Sequence, residues 1–325
     1  MFSDVDWQPV IQAIKKAKQI ILVTHCNPDG DGIGSQLALF DALQSSGIRV
    51  QMHNRDGVPR IYQFLTYADQ VVKGDWQGEL QADVIISLDC GARSRLGMPD
   101  AFFESATLIN LDHHTSNQAF GDINLVDARY CATGAMIYDL LLAMQLPISE
   151  ASASAMYTAI LTDTSSFRLA SATADVYRLA ALLIDAGAEP WPISVGVYES
   201  RPLGGLKMMT ACLETLEVHD QGRSAWIYVT HDIYQQSGAD VEDTEGLIDY
   251  ARSIDGVEVA VFVRVDESLT DCWKVSFRGK TYVDVGSLAA TLGGGGHRHA
   301  AGCLMRGTLA EINERLHQAV SSLLD

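Results

Sequence analysis

Three short apolar runs in the first half of the chain each end in acidic residues or histidines. The runs cover residues 20–23, 84–88 and 108–111. Their composition predicts strands, and segments with helical spacing separate them, which indicates βαβ units. The class is therefore α/β, with a doubly wound parallel sheet in the first half. Because open sheets of this kind bind ligands at the carboxyl ends of their strands, we expect the polar clusters to meet there.

The chain is long enough for two domains. Its 325 residues exceed the usual single-domain size, and 47% hydrophobic residues can bury a substantial core. Gly187, Pro190 and Pro192 interrupt the alternating pattern and mark a boundary. We predict a first domain at 1–188, a helical connector at 189–216 and a smaller α/β domain at 217–325, with the functional site in the cleft between the two domains.

Charge and cysteine content exclude several classes of protein. The 41 acidic residues outnumber the 23 basic ones, and the net charge of −18 disfavours binding to long DNA. Six cysteines occur without any C-x-x-C pair, which disfavours a zinc ribbon or a disulfide framework. The amino terminus has no basic leader and no apolar run approaches membrane-spanning length, so we expect a cytoplasmic protein without membrane contact.

The first polar cluster combines an imidazole with two carboxylates. His25, Asp29 and Asp31 follow a predicted strand within one tight turn that Pro28 and Gly30 favour. Residues at alternate positions of an extended loop can point to the same side, so the cluster could hold two adjacent metal ions. The alternative is a turn in which an aspartate caps the next helix. The preceding histidine favours the metal site.

Three further clusters follow in the same half of the chain. Asp89 alone is most often a cap after a strand, whereas the triplet Asp112-His113-His114 is hard to explain by packing. Asp163 lies after a predicted helix and alone would be a turn residue. Carboxylates and imidazoles without thiolates suit two hard or borderline divalent ions, with Mn(II) preferred over structural zinc.

The second half carries a different signal. Four consecutive glycines at 293–296 precede His297 and Arg298, and such a loop can cradle an anion with backbone N–H groups and side-chain donors. A glycine run alone is more often a flexible turn. Arg278, at the end of a predicted strand, could grip the same anion, although a solvated arginine is an equally good interpretation of its position.

These motifs resemble the DHH phosphoesterase superfamily, which takes its name from the triplet that stands here as Asp112-His113-His114. The four clusters match its N-terminal motifs in order. Residues 294–302 look like the substrate loop of its DHH-associated C-terminal domain. The resemblance covers nearly the whole chain, and the two-domain size is most similar to the bacterial nanoRNase/pAp-phosphatase group (NrnA type).

The resemblance implies a role for each matching residue. His114 would contact the scissile phosphate while Asp112 orients the neighbouring histidines. Most members carry a lysine-like residue and an asparagine after the loop histidine, where this chain has Arg298 and His299. The metal ligands would be His25 and Asp29 on one ion, Asp31 and His113 on the other, Asp89 between them and Asp163 mainly on the second. The substrate would be held by Arg278, Gly294, Gly295, Gly296, His297 and Arg298.

The activity implied by the resemblance is that of a Mn-dependent phosphodiesterase. It would degrade short oligoribonucleotides, including linear pGpG and pApA, to mononucleotides, with 3′-phosphatase action on the bisphosphate pAp as a related reaction. Water activated between two metal ions would attack phosphorus in line. The alternatives are hydrolysis of cyclic dinucleotides such as cyclic di-AMP and, from another class, a nucleotide-sensing module. The resemblance also allows a homodimer, which no feature of the residues establishes.

Overall fold

The computed structural model describes residues 4–76, 82–104, 106–266, 269 and 271–325. The chain divides into two compact units, residues 1–200 and 201–325, and each is described by itself. The division falls within the segment that we predicted as a connector. Within the described ranges, no helix combines the length and apolar character needed to cross a membrane.

The first unit is built on a six-stranded parallel sheet with strand order β3-β2-β1-β4-β5-β6. The predicted parallel sheet is confirmed, and its strand order is that of a doubly wound fold. The order reverses between β1 and β4, so the loops after these two strands leave the sheet side by side. The elements are α1 Gln8–Lys16, β1 Gln19–Thr24, α2 Gly30–Ser45, β2 Arg49–Asn54, β3 Val71–Lys73, β4 Val84–Leu88, β5 Thr107–Asp112, β6 Ile123–Val126, α3 Thr133–Met144, α4 Glu150–Asp163, α5 Ala174–Asp185 and α6 Pro190–Tyr198.

The two faces of this sheet are covered differently. Ile20 and Leu22 of β1 pack into the large core that the helices cover, whereas Ile21 and Val23 point to the opposite face. On that opposite face the apolar cover comes from short 3-10 turns and loops, including Phe102. The α-helices therefore gather on one side and leave the carboxyl ends of the strands to the polar clusters.

Two glycines allow the helices on the covered face to approach closely. A side-chain carbon at Gly34 of α2 would overlap the backbone oxygen of Ala155 in α4, and one at Gly134 of α3 would lie 2.5 Å from the β-carbon of Ala159. Helices that pack backbone against backbone tolerate only hydrogen at such positions. This packing brings α2, α3 and α4 together where their polar termini meet.

The second unit holds a mixed six-stranded sheet with order β11-β12-β10-β9-β8-β7. All its pairings are antiparallel except that of β8 with β9. The predicted smaller α/β domain is confirmed. Its elements are α7 Leu203–Glu214, β7 Glu217–His219, β8 Ser224–Val229, α8 His231–Ser237, α9 Leu247–Ser253, β9 Val259–Val265, β10 Cys272–Gly279, α10 Val285–Thr291, β11 Gly295–His297, β12 Ala300–Arg306 and α11 Leu309–Leu324.

Part of the predicted glycine-rich loop is a strand. Gly295 and Gly296 pair with Gly302 and Ala301 in a tight hairpin, and the turn falls at Arg298 and His299. The backbone at Gly296 has φ of +143°, and a side chain there would lie 2.5 Å from the α-carbon of Ala301. Glycine is therefore required for close pairing as well as for backbone freedom.

Replacing Gly34 by alanine tests the packing of α2 on α4. In an open helix this substitution stabilises by about 0.5–1 kcal/mol. Here the added methyl group overlaps the backbone of α4, so Gly34→Ala should lower the free energy of unfolding by about 1–3 kcal/mol in urea titrations. Gln44→Ala, at an exposed position of the same helix, should change it by less than about 0.5 kcal/mol. A stabilised Gly34→Ala protein would contradict the packing described above.

Candidate metal centre

The loop after β1 caps the next helix and also places a carboxylate beside His25. Asp29 is the N-cap of α2, because its Oδ1 accepts hydrogen bonds from the backbone N–H groups of Asp31 and Gly32, each at 3.1 Å. Its other oxygen, Oδ2, lies 3.7 Å from Nε2 of His25. The capping interpretation and the metal interpretation are therefore compatible, since one carboxylate serves each with a different oxygen.

Asp89 follows β4 in a left-handed backbone conformation, with φ of +54°. Only a few per cent of non-glycine residues adopt this conformation, and it is common at functional sites. The carboxylate is 1% exposed and lies between two histidines. Its Oδ2 is 3.6 Å from Nε2 of His25 and its Oδ1 is 3.6 Å from Nε2 of His113. Asp89 therefore connects two groups of donors.

The first group of donors comprises His25, Asp29 and Asp89, and the second comprises Asp31, His113 and Asp163. In the second group, Nε2 of His113 lies 3.5 Å from Oδ2 of Asp31 and 3.5 Å from Oδ2 of Asp163. The structure thus brings together all six predicted ligands, in the two sets that the resemblance implied. Their roles as ligands stay predictions.

The geometry of these groups fits cations better than hydrogen bonds. Nε2 of His113 is buried and makes no hydrogen bond, although three carboxylates lie 3.5–3.6 Å away. Two donors that each lie about 2.0–2.2 Å from one ion stand about 3 Å or more apart. A buried polar atom without a partner costs free energy that a bound ion would recover. Oxygen and imidazole donors without sulfur suit a hard or borderline divalent ion.

Asp163 is the last residue of α4, whereas we predicted it just after the helix. The helix cap, Thr164, accepts a hydrogen bond from the backbone N–H of Phe167 at 2.9 Å. Three consecutive residues, 165–167, then have positive φ between 48° and 63°. This strained turn fixes the helix end next to the carboxylate.

Backbone donors that we did not predict hold the second group in place. The N–H groups of Thr133 and Gly134, at the start of α3, donate to Asp31 at 2.6 and 2.8 Å. The hydroxyl of Thr133 also donates to Oδ1 of Asp89 at 3.2 Å. A helix N-terminus favours negative charge, so α3 stabilises these carboxylates. The residue types Thr133 and Gly134 by themselves carried no signal of this role in the sequence.

Asp112 is fully buried and orients His114. Its Oδ1 lies 2.7 Å from Nδ1 of His114, and its Oδ2 accepts a hydrogen bond from Asn117 at 2.5 Å. The hydrogen bond to Asp112 raises the pKa of His114 to about 9, against the effect of burial. Burial raises the pKa of Asp112, but His114 outweighs it and leaves that pKa below its usual value. A third donor group joins Asp89, His113 and His114.

Burial or neighbouring carboxylates favour the protonated forms of His25, Asp31 and Asp163. Burial lowers the pKa of His25, but the carboxylates of Asp29 and Asp89 outweigh it and raise the pKa to about 10. Burial, together with the charge of Asp89, raises the pKa of Asp163 to about 8 and that of Asp31 well above its usual value. The pKa of Asp29 is lowered despite burial, because His25 stabilises its charged form. Several of these groups are thus protonated at neutral pH.

The second unit places Arg278 on β10, directly beside the glycine hairpin. Arg278 is paired in register with Ala300 and is half-buried. The exposed guanidinium of Arg298 donates to the backbone oxygen of Tyr282 at 3.2 Å. The N–H of Gly294 donates to the backbone oxygen of Ala289 at 2.8 Å, so this amide is not free to bind an anion as predicted. The side chain of His297 lies outside the described part of the structure.

Comparison with known proteins agrees with these observations. Residues 19–160 match the DHH family, N-terminal domain, and residues 225–323 match the DHHA1 domain. The chain is 34% identical over 307 residues to the bifunctional oligoribonuclease and PAP phosphatase NrnA of Thermus thermophilus, covering 93% of this chain and 89% of the relative. The chain therefore belongs to the DHH phosphoesterase superfamily. Within that superfamily it falls in the NrnA-type group, and it is a hydrolase.

Two further similarities extend over nearly the full length. A probable bifunctional oligoribonuclease and PAP phosphatase NrnA of Streptococcus mutans is 27% identical, covering 98% of this chain and 99% of the relative. A crystal structure of an exopolyphosphatase-related protein from Bacteroides fragilis superposes with a TM-score of 0.91 at 26% identity, covering 99% of this chain and 98% of that one. Each of these two proteins therefore contains counterparts of both units of this chain.

Asp89 is the residue whose loss should affect both donor groups. We expect Asp89→Asn to weaken Mn(II) binding by more than about a hundredfold, because an amide removes the charge that the two groups share. Isothermal titration calorimetry of the chelator-treated protein measures this affinity. Asp185→Asn, at the exposed end of α5, is the matched control and should bind as the unchanged protein does. Unchanged affinity of Asp89→Asn would remove Asp89 from the site.

Mn(II) binding should release protons at neutral pH. Because His25 and Asp163 have pKa values raised to about 10 and about 8, a cation must displace their protons to bind. The affinity should therefore rise with pH between about 6 and 8, and the calorimetric enthalpy should vary with the ionisation enthalpy of the buffer. Asp163→Asn should release fewer protons. A heat independent of buffer would show that these groups are already deprotonated.

Proposed function

We propose that this chain is a metal-dependent phosphodiesterase that degrades very short oligoribonucleotides to mononucleotides and also removes the 3′-phosphate of pAp. The observation that carries the proposal is the paired donor groups joined by Asp89. Their spacing suits two divalent ions, of which Mn(II) is our first choice for these donors. The names of the relatives from Thermus thermophilus and Streptococcus mutans support the choice of substrate.

When bound, two divalent ions would supply an acidified water as nucleophile and positive charge at the phosphoryl oxygens. The residues of the chain position the remaining parts. Asp89 holds both groups at a fixed separation, and the N–H groups of Thr133 and Gly134 at the N-terminus of α3 fix the position of the Asp31 carboxylate. No side chain is needed as a covalent nucleophile in this arrangement.

We assign His114 to the scissile phosphate and not to a metal. Its Nδ1 lies 3.5 Å from Asp89, but the same atom is held by Asp112 at 2.7 Å. With Nδ1 held by Asp112, Nε2 is the ring nitrogen that we assign to stabilise negative charge on a phosphoryl oxygen. Asp112 is thus a positioning residue, and Asn117 in turn fixes Asp112.

We assign substrate binding in the second unit to Arg278 and the hairpin formed by residues 294–302. Arg278 offers a guanidinium fork beside the hairpin turn, which suits a phosphate or a carboxyl-like anion. The net charge of −18 disfavours long nucleic acids, whose affinity depends on many phosphate contacts. A short substrate needs few such contacts. The metal centre and the site at Arg278 are two small anion sites of the kind that such a substrate requires.

Two alternatives stay open to experiment. A cyclic dinucleotide presents the same diester to the metal centre, and a sensing module would bind nucleotides without hydrolysis. The complete set of donors in both groups favours hydrolysis over sensing, because a sensor has no need for a nucleophile.

Hydrolysis of 5′-labelled di-, tri- and heptaribonucleotides tests the proposal, with pAp and cyclic di-AMP measured alongside. We expect Mn(II)-dependent conversion of the shortest linear RNAs to mononucleotides, loss of activity with chelator, and a loss of at least about a thousandfold in Asp89→Asn. Asp185→Asn should remain active. Preference for the cyclic substrate would favour the first alternative. Nucleotide binding without turnover would favour the second.

A further inference from the structure

Arg95 lies beside the metal centre without an acidic partner. Its Nη2 is 3.2 Å from Nδ1 of His25, and among the described residues no carboxylate lies within ion-pair distance of its guanidinium. Arg93, two positions earlier in the same 3-10 turn, pairs with Asp100 at 3.1 Å and stacks on Phe103. The two arginines of one turn thus have different surroundings, and only Arg95 adjoins the donor groups.

Arg95 adjoins the edge of the His25 ring that points away from the donors. Nε2 of His25 faces Asp29 and Asp89, whereas Nδ1 lies 2.9 Å from the backbone oxygen of Cys26. With Nε2 as the metal-binding atom, Nδ1 carries hydrogen and donates to that oxygen. A protonated Nδ1 offers Arg95 no acceptor. The guanidinium group of Arg95 can then bind a second anion, in addition to the phosphate at the metal centre.

A second arginine reaches the same place from another loop. The aliphatic part of the Arg55 side chain packs over Gly97. A side-chain carbon at Gly97 would overlap the sulfur of Cys26 and lie 2.9 Å from Cδ of Arg55. Gly97 also has φ of +66°, so both space and conformation require glycine. Nε of Arg55 is 3.3 Å from Oδ1 of Asp56. This contact does not involve the two terminal nitrogens of the Arg55 guanidinium group. The turn at Gly97 thus brings two guanidinium groups to the neighbourhood of Cys26.

Two basic groups meet at this place in a strongly acidic protein. Arg55 and Arg95 supply two guanidinium groups at this place, although the chain as a whole carries −18. Asp56 is itself engaged by the backbone N–H of Asn27 at 2.7 Å, which ties it to the loop that carries the first donor group. Guanidinium groups bind phosphate through paired, charge-assisted hydrogen bonds. A dianionic phosphate monoester matches two guanidinium groups better than a singly charged diester does.

We propose that Arg95, assisted by Arg55, binds the terminal 5′-phosphate of a short nucleotide substrate while the metal centre holds the phosphate to be cleaved. This inference rests on the proposed function and adds a substrate preference, for 5′-phosphorylated dinucleotides over those with a free 5′-hydroxyl. It also assigns a recognition role to the first unit, which is separate from that of Arg278.

The test compares pApA with ApA, two substrates that differ only in the 5′-phosphate. For turnover, kcat/KM with Mn(II) is measured for the unchanged protein, Arg95→Gln and Arg93→Gln. For binding, calorimetry of both dinucleotides with chelator-treated protein gives a readout that needs no hydrolysis. We expect a preference for pApA that Arg95→Gln reduces by about tenfold to a hundredfold, the effect of losing a charge-assisted phosphate contact. Arg93→Gln should keep the preference.

Each outcome separates the two proposals. A preference for pApA that is lost in Arg95→Gln but kept in Arg93→Gln supports the 5′-phosphate site. An equal decrease of kcat/KM for pApA and ApA in Arg95→Gln would overturn it, because Arg95 would then act through His25 or on the scissile phosphate. Absence of any preference in the unchanged protein would also overturn it. Loss of binding preference in Arg95→Gln without Mn(II)-dependent turnover would support the site and refute the proposed function.

Discussion

Repulsion among the carboxylates at the carboxyl edge of β1 and β4 is the constraint on which the first unit depends. Asp31 and Asp89 are each 1% exposed, and both lie within reach of His113 together with Asp163. Several buried negative charges at such distances are unfavourable without compensation. The fold supplies compensation through imidazoles and through the N-terminus of α3. Bound protons or cations must compensate the remaining negative charge. Metal binding would therefore contribute to the free energy of folding as well as to the chemistry of the site.

Close packing of the helices makes this crowding possible. Asp31 lies at the start of α2 and Asp163 at the end of α4, so the two carboxylates can meet only if these termini touch. A side-chain carbon at Gly30 would overlap the side chain of Thr162, which directly precedes Asp163. The glycines of the sequence around Asp29 therefore do more than permit a turn. They set the separation between the carboxylates that define the second donor group.

The polar clusters at strand ends could be predicted because a parallel sheet gathers such ends at one edge, whatever the details of packing. His25, Asp89 and the triplet Asp112-His113-His114 are of this kind. The donors from Thr133 and Gly134 could not be predicted, because a backbone N–H has no signature in the sequence. The strand at Gly295 was missed for a related reason. A run of glycines indicates a backbone with wide conformational freedom. Only the partner strand shows that the glycines here use this freedom to pair closely.

Arg95 illustrates why charge must be considered locally. A net charge of −18 repels a long polyanion over the whole surface, but screening confines each contribution to roughly 10 Å. Arg55 and Arg95 lie close to Cys26, and divalent ions at the donor groups would add further positive charge there. In the proposed function, a substrate short enough to remain near these groups would be attracted, whereas a longer one would extend over the acidic surface. The proposed preference for very short nucleotides would then follow from the distribution of charge.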